Sequence, residues 1–280
     1  MKPAPILDLG APGSGKTTAL VTVLGDPDFK LIYLATDPNG EQALKHALDK
    51  VYHVKDWQGR VFVKTISPGT GTIQGLKNLA DIIGNSTYQD LCKKSRVAGE
   101  DFRQYNKLIA AMEDFTCDWS GTKLGHLAAL PYGYVLGFDG LTGLSSMCRD
   151  LVIGAKPALH EGEWGVAMNM VERTIAILMT LPMPVIVLAH IEREVDLITG
   201  ETKIMASTLG KKLAPKLAGM GFGEIILSRK EGDKYFWSNT TPGVDTKKVI
   251  LQAGNDIYPS YAPFFEYWKL AKGDTTPATT

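Results

Sequence analysis

The chain has 280 residues, 44% of them hydrophobic, and its 30 basic and 30 acidic residues cancel to a net charge of zero. This composition excludes disordered and fibrous classes, and the charge balance excludes a generally polycationic surface, so any nucleic-acid contact must be local. The three cysteines are odd in number and too far apart for a zinc pattern, which favours a reducing compartment. Because the sequence shows neither a signal-peptide core nor an apolar run of membrane-spanning length, we expect a cytoplasmic protein without a membrane partner.

Short apolar runs alternate with helical patterns along the chain, which is typical of an α/β fold. Helices are predicted at 17–24, at 164–181 and around Leu217, where Pro215 kinks or restarts the helix. Because the predicted strands are short and strongly apolar, we expect a mostly parallel central sheet flanked by helices. These strands lie at 6–9, 31–36, 61–66, 134–138, 185–189 and 224–228.

The remaining segments suggest how the chain is divided. Residues 235–238 and 248–252 are predicted to form a terminal β-hairpin with its turn at 239–245. Residues 85–131 separate two strands by more than a usual crossover, so we expect a helical insertion or small lid there. The chain is therefore predicted to be a single core over 1–270, followed by a disordered tail at 271–280.

The most specific motif follows the first predicted strand. Glycines there let successive backbone N–H groups point at phosphate oxygens, and the next helix places its N-terminus beneath the anion. Lys16 is predicted to reach the β- and γ-phosphates of ATP and the Thr17 hydroxyl to coordinate Mg²⁺, with Thr18 completing the nucleotide-binding set. The motif consists of Gly10, Ala11, Pro12, Gly13, Ser14, Gly15, Lys16 and Thr17. It matches the phosphate-binding P-loop pattern completely, with glycine at its first and sixth positions followed by lysine and threonine.

Asp139 follows the predicted strand 134–138. An aspartate at the carboxyl end of a central strand lies beside the phosphate loop and can hold Mg²⁺ through water, which is the Walker B role. Gly140 follows it, so a structural turn aspartate is the alternative interpretation.

Hydrolysis also needs a group that orients or deprotonates the attacking water. Asp37, directly after the strand 31–36, is the first candidate and Glu41 the second. Residues 37–40 are also typical turn residues, so a structural role for Asp37 stays open. His190 follows the strand 185–189, where it can contact the γ-phosphate or its attacking water and report the nucleotide state, or serve as a structural histidine.

These features resemble the RecA-type ATPase core in order and approximate spacing. The features are the P-loop, Asp37 after the second predicted strand, Asp139 after the fourth and His190 after the fifth. In addition, residues 161–165 and 192–207 occupy the places of the family's two mobile DNA-binding loops. The chain resembles in particular the compact RecA-like ATPases of bacteriophages, which are nucleotide-binding or single-strand-annealing recombination proteins. The resemblance implies a RecA-like P-loop core, an ATP- and Mg²⁺-dependent hydrolase and, for a phage protein, a place in the host cytoplasm.

The resemblance also implies partners. It implies a homo-oligomer with ATP sites between subunits, where Lys247 and Lys248 are placed to act as cations on a neighbour's γ-phosphate. The alternative is that both lysines lie on a solvated strand edge, where lysine discourages aggregation. It further implies contact with single-stranded DNA, although acidic residues nearly cancel the local basic charge. The basic residues concerned follow His190: Arg193, Lys203, Lys211 and Lys212.

Two other functions remain open on sequence grounds. A small-molecule kinase shares the P-loop but needs an arginine-rich lid, and residues 85–131 supply only Arg96 and Arg103 as arginines. A nucleotide-switched assembly protein would bind ATP and change its oligomeric state with little turnover.

Overall fold

A computed structural model describes residues 2–51, 57–69, 77, 80–81, 84–87, 89–90, 103–154, 161–195, 200–210 and 212–271. The strands over these residues are β1 (Ile6–Gly10), β2 (Lys30–Ala35), β3 (Val61–Thr65), β4 (Phe115–Thr116), β5 (Lys123–Gly125), β6 (Tyr134–Asp139), β7 (Val185–Ala189), β8 (Ile191–Val195), β9 (Thr202–Ala206), β10 (Glu224–Glu231) and β11 (Lys234–Ser238). The helices are α1 (Lys16–Val21), α2 (Gly40–Val51), α3 (Gln104–Glu113), α4 (Leu141–Ile153), α5 (Glu161–Leu178), α6 (Leu213–Gly219) and α7 (Phe265–Ala271).

Seven strands form one central sheet in the order β11-β10-β1-β7-β6-β2-β3. β10 and β11 run antiparallel, whereas the other neighbouring pairs run parallel. Helices α1, α2 and α7 pack in the apolar core on one face of the sheet, and α3 to α6 pack in the core on the other. The predicted α/β class, with a mostly parallel central sheet flanked by helices, is confirmed.

Parallel pairing brings the carboxyl ends of four central strands to one edge of the sheet. Ala189 pairs with Leu9 of β1, and Leu188 pairs with Asp139 at the end of β6. Asp139 in turn pairs with Ala35, the last residue of β2. The segments that follow β1, β2, β6 and β7 therefore meet above this edge, where open α/β sheets hold their ligands.

The predicted pairing of 235–238 with 248–252 is wrong. β11 instead pairs with β10, through Glu231 and Lys234 at the turn. Residues 248–252 cannot serve as its partner strand because they wrap around a buried carboxylate. Oε1 of Glu224 accepts hydrogen bonds from the consecutive backbone N–H groups of residues 249–251, and an extended strand would point these donors in alternating directions.

The helices differ from their predicted bounds by a few residues. The predicted helix 17–24 consists of α1 and a 3₁₀ continuation at Thr22–Gly25. Pro215 restarts the helix as expected, because it lies in the first turn of α6, where no intrahelical N–H bond is needed. Among the described helices, none is both long and apolar enough to cross a membrane.

The described part of the predicted insertion 85–131 contains α3, the β4–β5 ribbon and a 3₁₀ turn at Leu127–Ala129. Leu108 of α3 and Phe115 of β4 are fully buried in the core that also holds α4 and α5. This part of the chain is thus built into one face of the protein. The predicted tail beyond Ala271 lies outside the described residues.

Candidate functional site

A cavity of about 430 Å³ lies above the carboxyl edge of the sheet. We call residues 10–17, from the last residue of β1 into the start of α1, the glycine loop, and residues 12–18 line one side of the cavity. Asp37 and Gly40 follow β2, Asp139 ends β6 and His190 follows β7, and all four line the same cavity. The strand-end side chains that the sequence singled out are therefore brought together.

The glycine loop has the backbone shape that its sequence demands. Gly13 and Gly15 have φ angles of 74° and 90°, in the left-handed region that side chains other than glycine rarely adopt. A Cβ atom on Gly15 would also lie 2.7 Å from Cδ1 of Tyr235, whereas one on Gly13 would meet no atom within 4 Å. The loop is thus closely packed on the Tyr235 side and open beside Gly13.

Lys16 lies folded against this loop. Its Nζ donates hydrogen bonds to the carbonyl oxygens of Gly10 at 2.7 Å and Ala11 at 3.1 Å, and the residue is only 7% exposed. Burial lowers the pKa of its ammonium group, while the nearby carboxylates of Asp8 and Asp139 oppose that shift. The ammonium group is therefore held at the cavity wall by neutral carbonyl acceptors. A negatively charged group would bind it more strongly and could replace them.

The side chains of Thr17 and Asp139 lie together in the same cavity. The Thr17 hydroxyl donates to Oδ2 of Asp139 at 3.3 Å, and the buried Tyr33 hydroxyl donates to the same oxygen. Burial raises the pKa of Asp139, and the hydrogen bond from Tyr33 and the charge of Lys16 act against that increase. A hydroxyl beside a carboxylate is a ligand set suited to a hard cation such as Mg²⁺.

Asp37 and His190 form a second polar pair in the cavity. Nε2 of His190 lies 3.7 Å from Oδ2 of Asp37, and both side chains are about one-third exposed, at 31% and 36%. Oδ1 of Asp37 also accepts a hydrogen bond from the backbone N–H of Asn39 at 2.9 Å, which is the turn contact expected for a structural aspartate. Asp37 thus both closes the turn and leaves one oxygen facing the cavity histidine.

Glu41 is directed away from this pair. Its Oε1 accepts hydrogen bonds from the Trp119 indole N–H and the Lys45 ammonium group, each at 2.8 Å, and it is not among the residues that line the cavity. The hydrogen bond from Lys45, followed by that from Trp119, lowers the pKa of its carboxyl group. Of the two candidates for activating water, the geometry favours Asp37.

The predicted intersubunit cations lie elsewhere on the sheet. Lys247 exchanges both backbone hydrogen bonds with Ile225, at 2.8 and 3.2 Å, near the amino end of β10. Lys247 and Lys248 are both exposed and do not line the cavity of their own chain. Their action on a neighbouring subunit stays a prediction.

The predicted DNA contacts do not form one basic surface. Arg193 pairs with Ile204 across the β8–β9 ribbon, whereas Lys203 pairs with Glu194 at the next position. Because directly opposed residues share a face and successive residues alternate, Arg193 and Lys203 lie on opposite faces of the ribbon. Lys212 is exposed just before α6, and Lys211 lies outside the described residues.

Sequence reasoning missed two tyrosines at the site, Tyr33 and Tyr235, and a buried aspartate in β1, Asp8. Tyr33 contacts Asp139 and Tyr235 covers the loop, but both belong to apolar or alternating strand patterns and carry no motif. Asp8 gave a usable signal, since a charged residue in a five-residue buried strand must be paired. It is fully buried, and its carboxylate accepts from Oγ of Ser228 at 2.5 Å and from Oη of Tyr261 at 3.1 Å.

Asp8 provides a pH-dependent prediction for stability. Burial raises its pKa to about 6 from 3.8, so the folded protein binds more protons than the unfolded chain between these pH values. The free energy of unfolding should therefore fall as the pH rises from 4 to 7, by on the order of 3 kcal/mol from this group. Asp8→Asn should lack this component, which urea unfolding of both proteins at several pH values would measure. A stability difference between the two proteins that is constant from pH 4 to 7 would contradict the assignment.

No model of a known protein family matches this chain, and no curated protein matches it in sequence.

Proposed function

We propose that this protein is a Mg²⁺-dependent P-loop ATPase with a RecA-like core that acts on single-stranded DNA in recombination or strand annealing. One observation carries the proposal: a single cavity joins the glycine loop with Lys16 to the Thr17–Asp139 oxygen pair and the Asp37–His190 pair. These are the groups that phosphoryl transfer needs to bind phosphate, hold a metal ion and orient water.

The loop fits a triphosphate. The open space beside Gly13 lets an anion approach the backbone, and the Lys16 ammonium group can exchange its carbonyl partners for phosphate oxygens. Hydrogen bonds between ionised groups are roughly twice as strong as those to neutral acceptors, so this exchange favours nucleotide binding.

The oxygen pair fits Mg²⁺ that arrives with a nucleotide. Over the described part of the chain, no group of three or more His, Cys, Asp or Glu side chains is arranged to hold a metal ion alone. Mg²⁺ is usually bound by one or two protein oxygens together with substrate phosphates and water. Thr17 and Asp139 would provide the protein share, and the ion would neutralise charge on the phosphate oxygens.

The reaction would use the glycine loop and the Asp37–His190 pair in different ways. Lys16 and the backbone N–H groups of the loop stabilise the charge that develops on the phosphoryl oxygens. Asp37 orients the attacking water and takes its proton, and His190 lies close enough to accept a hydrogen bond from the same water or to steady the Asp37 carboxylate. The β8–β9 ribbon starts directly after His190, and the backbone N–H of Ser207 donates to the His190 carbonyl at 2.7 Å. Nucleotide state could thus reach the ribbon that carries Arg193 and Lys203.

A neighbouring cavity of about 340 Å³ is suited to the nucleobase. It shares Gly15, Thr18 and Tyr235 with the site cavity, so a base placed there would be continuous with phosphates on the loop. Tyr258, which is 80% exposed, and Pro259 form its outer wall. Aromatic walls of this kind stack on any base, which supports nucleotide binding without strong base selectivity.

Replacing Tyr258 by alanine should therefore weaken ATP binding by about 1–3 kcal/mol, the scale of one lost base–aromatic contact. Binding of inorganic tripolyphosphate, which has no base, should be unchanged, and calorimetry with both ligands would separate the two effects. Tyr132→Ala, which removes a partly exposed tyrosine that does not line either cavity, is the matched control. Equal loss of affinity for ATP and tripolyphosphate would place the base elsewhere.

The DNA-directed part of the proposal is tested by measuring single-stranded DNA affinity with a non-hydrolysable ATP analogue and with ADP, and ATP hydrolysis with and without the DNA. The proposal predicts tighter DNA binding with the analogue and faster hydrolysis in the presence of DNA. Phosphoryl transfer to a metabolite without any DNA effect would instead identify a kinase. ATP binding that changes the oligomeric state with negligible turnover would identify a nucleotide-switched assembly protein.

A further inference from the structure

Tyr33 is a buried polar residue that the mechanism above does not use. It lies in the middle of β2, has no exposed surface and belongs to the core on the face of α1 and α2. Its hydroxyl donates to Oδ2 of Asp139 and lies 3.1 Å from the carbonyl oxygen of Gly40, the first residue of α2. The phenol therefore stands between the candidate metal ligand and the helix that follows the Asp37 turn.

The contacts around this hydroxyl fix the Asp139 carboxylate from one side. Thr17 and Tyr33 both donate to Oδ2, which determines how the carboxylate is rotated. A ligating carboxylate that is itself hydrogen-bonded is better oriented for its metal ion than one that rotates freely.

The close approach of α2 to the phenol depends on a glycine. A Cβ atom on Gly40 would lie 3.0 Å from the Tyr33 hydroxyl oxygen and 2.8 Å from the Ala35 Cβ. The backbone N–H of Gly40 also donates to the Asp37 carbonyl at 3.1 Å, so the same residue joins the phenol to the turn that carries Asp37. The hydroxyl has one proton, and two acceptors lie within reach of it: the Asp139 carboxylate and the Gly40 carbonyl. The hydroxyl therefore lies between the candidate metal ligand and the turn that carries Asp37.

We propose that Tyr33 is a positioning residue for the magnesium site: its hydroxyl holds the Asp139 carboxylate in the rotamer that binds the metal and ties that carboxylate, through the Gly40 carbonyl, to the Asp37 turn. This inference rests on the proposed function, because it requires that Asp139 binds Mg²⁺ together with a nucleotide. Tyr33 does not line the cavity, so it would act through its contacts with Asp139 and Gly40 and would touch neither the nucleotide nor the metal.

Tyr33→Phe removes the hydroxyl and keeps the buried ring. The Mg²⁺ concentration needed for half-maximal binding of a non-hydrolysable ATP analogue, measured by calorimetry, should rise by about 10-fold to 100-fold, the usual effect of losing such an outer partner. Binding of the analogue in EDTA should not change, because the glycine loop and Lys16 are untouched. A role limited to packing would affect both measurements alike.

Tyr261→Phe is the matched control. It also removes a buried phenol hydroxyl from a buried aspartate, since Oη of Tyr261 donates to Asp8, but this pair does not line the cavity. Tyr261→Phe should leave the Mg²⁺ requirement at the wild-type value, and thermal unfolding without metal shows whether both variants are folded.

An unchanged Mg²⁺ requirement in folded Tyr33→Phe would overturn the role of Tyr33 and leave the proposed ATPase intact. An equal increase in both tyrosine variants would also overturn it, because loss of stability alone would then explain the effect. If wild-type protein bound the analogue equally with and without Mg²⁺, the metal site itself would fail, and the inference about Tyr33 would fail with it.

Discussion

Lys16→Ala is expected to abolish ATP turnover and to weaken ATP binding by about 1–3 kcal/mol, the scale of a lost charge-assisted hydrogen bond. The ammonium group is almost completely buried at the cavity wall, where its charge is poorly screened. Without it, the phosphate charge would be balanced only by backbone N–H groups and the metal ion. Phosphate release and calorimetric ATP binding by the variant would measure the two effects separately.

Lys107→Ala provides the matched control for the loss of one positive charge, because Lys107 is exposed on α3 and does not line the cavity. It should retain wild-type turnover. Wild-type turnover in folded Lys16→Ala would show that the glycine loop is not the site of hydrolysis.

Asp139→Asn should raise the Mg²⁺ concentration required for half-maximal hydrolysis by about 10-fold to 100-fold, because a neutral amide holds a hydrated divalent cation poorly. The amide can still accept the hydrogen bonds that Tyr33 and Thr17 donate, so the neighbouring side chains need not rearrange. A Mg²⁺ titration of the hydrolysis rate for both proteins would measure the shift.

Asp114→Asn, at an exposed carboxylate beyond the end of α3, is the control for the change in charge and should keep the wild-type Mg²⁺ requirement. If Asp139→Asn hydrolysed ATP with that same requirement, Asp139 would be a structural strand-end residue and the metal ion would be bound elsewhere.

The parallel strands of the central sheet could be predicted because the local sequence pattern marks each of them. The parallel strands are largely buried on both faces, so they appear in the sequence as short, mostly apolar runs. The polar residue that follows or ends a central strand marks the functional edge of the sheet. Asp37, Asp139 and His190 were found in this way, and the structure brings them to one cavity with the glycine loop.

The parts that could not be predicted depend on contacts between distant segments. Residues 248–252 have an apolar pattern suited to a strand. Their backbone N–H groups instead donate hydrogen bonds to the carboxylate of Glu224, which lies more than twenty positions earlier in the chain. Similarly, Tyr33 looks like an ordinary core residue of β2 until the pairing of β2 with β6 places Asp139 beside its hydroxyl. Glu41 was a reasonable candidate by its position in the sequence. Its carboxylate, however, accepts a hydrogen bond from the indole N–H of Trp119, which lies in a distant segment of the chain.

The measurement that tests the central claim most directly is release of inorganic phosphate from ATP by the purified wild-type protein, in Mg²⁺ and after chelation with EDTA, with Lys16→Ala run in parallel. A site built from Lys16, Thr17 and Asp139 predicts release that requires Mg²⁺ and is lost in Lys16→Ala. Absence of release from wild-type protein in Mg²⁺, or equal release by folded Lys16→Ala, would contradict the assignment of this cavity as an ATP-hydrolysing site.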